Sequence, residues 1–85
     1  MKLKTKSGWL TRYGLACGYI EQWENDGQRV TMDYKHGVLC VHAYDFSTHN
    51  HLFHLNFSTV KAARKYFTAA KKQSLTGGIL QHVGN

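Results

Sequence analysis

The stretch Asn25-Asp26-Gly27-Gln28-Arg29-Val30-Thr31-Met32-Asp33-Tyr34-Lys35-His36-Gly37-Val38-Leu39-Cys40-Val41-His42-Ala43-Tyr44 decides the fold. Asn25-Asp26-Gly27 supplies residues that tolerate positive φ, the signature of a tight hairpin turn. From Gln28 to Tyr34 the side chains alternate, with Val30, Met32 and Tyr34 on one side and Arg29, Thr31 and Asp33 on the other. That two-residue period predicts a half-buried strand. Lys35-His36-Gly37 turns the chain again, and Val38 to Tyr44, apolar on both faces, reads as an interior strand of an antiparallel sheet.

Working outward, Cys17 to Glu24 precedes the first turn with Tyr19 and Trp23 on one face. His51 to Phe57 follows a polar, turn-prone Asp45 to Asn50 and points Phe53, Leu55 and Phe57 inward. Ser58 or Thr59 stands where a helix N-cap belongs, and Val60, Ala63, Phe67 and Ala70, with Tyr66 alongside, form one stripe at helical spacing. Leu75-Thr76-Gly77-Gly78 stops that helix. The expectation is an α+β fold, a four-stranded antiparallel sheet in β-β-β-β-α order with the C-terminal helix across one face. A basic arm (1–15), the sheet-plus-helix domain (16–74) and a tail (75–85) complete the chain. At 85 residues there is room for one hydrophobic core and no deep enclosed cleft.

The charge is uneven. Eleven Lys and Arg face five Asp and Glu, a formal net charge of +6. Residues 1–15 hold Lys2, Lys4, Lys6 and Arg12 with no acid, and the helix holds Lys61, Arg64, Lys65, Lys71 and Lys72 with none, while every acid sits between 16 and 57. An ordinary solvated helix face mixes both signs; this one carries cations alone, the pattern that follows a phosphate backbone. The expected role is a small, non-catalytic nucleic-acid-binding module that grips phosphates through those nine side chains. The rival from another class is a phage-like accessory protein that inhibits or modulates a host or defence factor bearing an acidic surface. Trp23, Tyr44 and Phe46 are the candidates for stacking on bases or anchoring such a partner. An edge strand offers a route to a homodimer.

Residues 36–71 also resemble the AP2-type DNA-binding domain, through Phe57-Ser58-Thr59-Val60-Lys61-Ala62-Ala63-Arg64-Lys65-Tyr66-Phe67-Thr68-Ala69-Ala70. The resemblance implies strands followed by a helix packed on them, with DNA read from the sheet. The family's groove-reading arginines and tryptophan are not matched: the corresponding strands carry Val38, Cys40, His42, Tyr44, Leu52, His54 and Asn56.

Other chemistry is sparse. The sequence holds no nucleophile elbow, Gly-rich phosphate loop or carboxylate pair placed for acid–base work, so no enzymatic activity and no cofactor are expected. Glu21 and Glu24 read as solvated strand-end residues. Among the six histidines, His49 and His51 would share a strand face as a weak metal pair, with His54 facing away. Cys17 and Cys40 are too few for a disulfide framework and read as small buried residues of a protein in a reducing, cytoplasmic compartment. No apolar run approaches a membrane span, and no apolar stretch follows the basic start, so export is not expected.

Overall fold

The first hairpin turn is built by Asn25, whose Oδ1 accepts hydrogen bonds from the backbone N–H of Gly27 at 2.8 Å and of Gln28 at 2.7 Å. In the computed structural model, which describes residues 1–10, 18–35 and 37–72, this turn joins β2 (Tyr19–Glu24) to β3 (Gln28–Lys35). Gly37, at φ 78°, adopts the left-handed conformation that closes the next turn into β4 (Val38–Asp45). Asp45 Oδ1 organises the third turn by accepting from the Ser47 N–H at 2.8 Å, the Ser47 hydroxyl at 2.7 Å and the Thr48 N–H at 3.3 Å. His49 completes that turn at φ 57°, and β5 (Asn50–Phe57) follows.

The strand count corrects the sequence reading. Lys2–Ser7, expected as part of a free basic arm, forms β1 and pairs antiparallel with β2, so the sheet has five strands in the order β1-β2-β3-β4-β5. The physical reason is that an edge strand can be held by backbone hydrogen bonds without burying a face. Its alternation is lysine against Leu3 and Thr5, and Leu3 itself stays 50% exposed, so no hydrophobic period betrays it. Arg12, Cys17 and the expected tail lie outside the described residues.

Helix α1 (Val60–Lys72) covers one face of the sheet, over β3, β4 and β5. Thr59 is its N-cap, the hydroxyl accepting from the Ala62 N–H at 3.1 Å. Thr59→Ala is expected to cost about 1 kcal/mol of stability, read as a lowered urea midpoint with an unchanged slope. Ala63, Phe67 and Ala70 descend onto Tyr19, Val30, Met32, Leu39, Val41 and Ala43 to make the core. The small alanines let the helix approach while Phe67, with no exposed surface, fills the space between. Tyr66 meets the rings of Phe53 and Phe57 at centroid distances of 5.4 and 5.5 Å. Leu55, expected to point inward between those phenylalanines, remains 38% exposed, β5 being the edge strand of the sheet among the described residues.

Candidate functional site

With Ala63, Phe67 and Ala70 against the sheet, the helical repeat turns Lys61, Lys65, Thr68 and Lys72 outward along one line at intervals of four, three and four residues. Lys61, Lys65 and Lys72 are exposed, and together with Arg64, Thr68 and Ala69 they line one shallow depression on the outer surface of α1. None of the five Asp and Glu side chains forms an ion pair with these three lysines. Among the described residues their ammonium groups therefore present a row of positive charge with no acidic partner.

The other two helix cations are differently placed. Glu21, read from sequence as solvated, is only 3% exposed and sits beneath α1. Its Oε1 accepts from Arg64 Nη1 at 3.0 Å and from the Tyr19 hydroxyl, and its Oε2 accepts from Trp23 Nε1 at 2.7 Å. Lys71 Nζ lies 3.9 Å from Oε2 and 4.2 Å above the centre of the Trp23 ring. Burial alone would raise the Glu21 carboxyl, but the hydrogen bonds from Tyr19, Trp23 and Arg64 and the guanidinium charge outweigh it and bring it down to about 2. Burial pulls the Lys71 ammonium below its ordinary value, against the opposing pull of Glu21. Arg64 keeps part of its guanidinium at the surface, with 42% of the side chain exposed, so it borders the lysine row while anchoring the helix. Lys71 is turned inward and is no part of the row.

The amino-terminal lysines divide between the two faces. Lys6 pairs in register with Glu21 on the helix side. Lys2 pairs in register with Glu24 on the open side, and Lys4 Nζ lies 3.8 Å from the Glu24 carboxylate, which Arg29 Nη2 also meets at 2.6 Å. Of the stacking candidates, Trp23 is committed to the Glu21 network. Tyr44 and Phe46 are half-buried, edge to face at 5.9 Å, with the Arg29 guanidinium 5.4 Å over the Phe46 ring. Among the described residues the large exposed aromatic is instead Trp9, at 63%.

The face of the sheet opposite α1 gathers histidines, though not in the expected pairing. A register shift between Ala43 and Tyr44 leaves Leu52 as an extra residue in β5, so His51 opposite Tyr44 and His54 opposite His42 share the open face. His49 stays in the turn. The bulge reverses the alternation between positions 51 and 54, which is why counting by twos placed His54 on the wrong side. His42 stacks on His54 at 5.3 Å and its Nε2 donates to Asp33 Oδ2 at 3.0 Å, while His54 Nε2 lies 3.0 Å from Cys40 Sγ. Burial, with the Asp33 charge adding to it, pushes the Cys40 thiol up to about 11, so it is protonated at neutral pH. Among the described residues no three His, Cys, Asp or Glu side chains converge on a point that would hold a metal ion. No helix of the described residues is long and apolar enough to cross a membrane. Comparison with family models, curated proteins and solved structures finds no match to this chain.

Proposed function

We propose that this domain is a small, non-catalytic nucleic-acid-binding module that contacts phosphates through Lys61, Lys65 and Lys72, with Arg64 at the rim of the row. The observation that carries this reading is the row itself: exposed lysines on one helical line, with none of the five Asp and Glu side chains paired to them. Such an array displaces condensed counterions from a polyanion and needs no specific base contact to do so. Lys2 and Lys4 belong to the far edge of the sheet and to Glu24, so the footprint is smaller than the full list of cations implies. The buried, unpaired Cys40 thiol suits the reducing cytoplasm.

The test is a binding titration against duplex DNA and single-stranded RNA over a range of salt. With four phosphates neutralised, the logarithm of affinity should fall with the logarithm of salt at a slope of about −3.6 on the duplex. A slope near zero, or no binding at low salt, rejects the reading. Capture of a stoichiometric acidic protein that survives nuclease treatment, without any affinity for nucleic acid, would favour the inhibitor-like alternative instead.

A further inference from the structure

The two edges of the sheet differ in a way that bears on assembly. β1 carries Lys2, Lys4 and Lys6, and a register shift between Leu3 and Thr5 interrupts it. Lysines keep an edge from pairing with another strand, and of the two edge strands, each interrupted by a register shift, β1 alone carries them. β5, at the opposite edge, holds no Lys, Arg, Asp or Glu in its eight residues. Among the described residues its outer backbone N–H and C=O groups have no ladder partner, β5 being hydrogen-bonded to β4 alone.

We infer that β5 pairs antiparallel with β5 of a second copy of this chain, with Leu55 on the two-fold axis. Past the bulge at Leu52, the regular part of β5 is Phe53 to Phe57, and it is symmetric about Leu55. Antiparallel self-pairing in that register sets Phe53 beside the partner's Phe57, Leu55 beside the partner's Leu55 and His54 beside the partner's Asn56. Apolar meets apolar on the helix side and polar meets polar on the open side, with no like charges opposed. The contact covers Leu55, left 38% exposed at the edge of the sheet, and it joins the Phe53–Tyr66–Phe57 clusters of the two copies. A second copy fits better than an unrelated strand because this self-complementarity is written into the five residues themselves.

The symmetry has a geometric consequence. Antiparallel pairing of identical edges places the two-fold axis perpendicular to the sheet, so both α1 helices lie on the same face of one continuous sheet. The inference does not depend on nucleic-acid binding and is tested without it. Sedimentation equilibrium from micromolar to millimolar protein should show a mass rising from 9.7 kDa to twice that value. Leu55→Lys should hold the mass at the monomer value with an unchanged circular dichroism spectrum, whereas Leu3→Lys on the opposite edge should leave the doubling intact. A wild-type protein that stays monomeric throughout overturns the inference. So does a doubling abolished by Leu3→Lys and not by Leu55→Lys. Should Leu55→Lys fail to fold, concentration-dependent protection of the Phe53–Phe57 amides from hydrogen exchange replaces it, and its absence has the same force.

Discussion

Replacing Glu21 by alanine is expected to lower the folding stability by about 3 to 5 kcal/mol, the cost of leaving a buried ion pair without its partner. A domain of 85 residues has roughly 4 to 13 kcal/mol in total, so the variant should be partly unfolded at ambient temperature. Four groups lose their acceptor or counterion together: the Arg64 guanidinium, the Lys71 ammonium, the Tyr19 hydroxyl and the Trp23 indole N–H. Urea denaturation followed by tryptophan fluorescence reads the loss directly. Acid titration supplies an independent reading. The folded carboxyl lies near 2 against an ordinary value of 4.5, so its contribution is complete above pH 4.5 and disappears as the pH falls toward 2. By that linkage the loss amounts to about 3 kcal/mol. Glu21→Gln removes the titrating group, and its stability should be flatter over the same window. An equal acid limb in wild type and Glu21→Gln would show that another carboxylate controls it.

The second large effect separates neighbours in the chain. The triple variant Lys61→Gln, Lys65→Gln, Lys72→Gln should lose affinity for duplex DNA on the order of 10³-fold at about 50 mM salt, with the salt slope reduced to about −0.9. Folding stability should change little, because these side chains are exposed and make no ion pair. Lys71→Gln should do the reverse. It removes the ammonium that lies over Trp23 and beside Glu21, so the urea midpoint drops while the salt slope stays near that of wild type. Equal loss of slope in Lys71→Gln would mean that the phosphate contacts do not follow the outward line of α1.

The contrast between Lys71 and Lys72 also marks how far the sequence could be read. The hairpins, the interior strands, a helix cap at Ser58 or Thr59 and the buried stripe of α1 all follow from local sequence, and the structure holds each, with Thr59 as the cap. Position on the helix wheel was sufficient for Lys61, Lys65 and Lys72, whose surroundings are water. It was insufficient for Arg64 and Lys71, whose orientation depends on a carboxylate far away in the chain. Glu21 itself offered a usable sign: it lies between Tyr19 and Trp23 in the alternation, on the face that those rings bury. A carboxylate at such a position demands a cationic partner from whichever element covers that face. The histidine arrangement had no such sign, since one extra residue in β5 inverts a strand face without altering composition. The lysine-rich β1 was hidden for the opposite reason, its pairing being purely backbone.

The strand order carries a consequence for the way the molecule is made. Each strand bonds only to its neighbours along the chain, so the sheet can assemble by successive local closures, a topology of low contact order that favours rapid folding. The bond from Arg64 back to Glu21, spanning 43 residues, is available only once α1 exists. Until α1 docks, the face of the sheet that carries Val30, Met32 and Val41 is uncovered. An uncovered apolar face of that kind is prone to association with other chains, and α1 is the element that closes it.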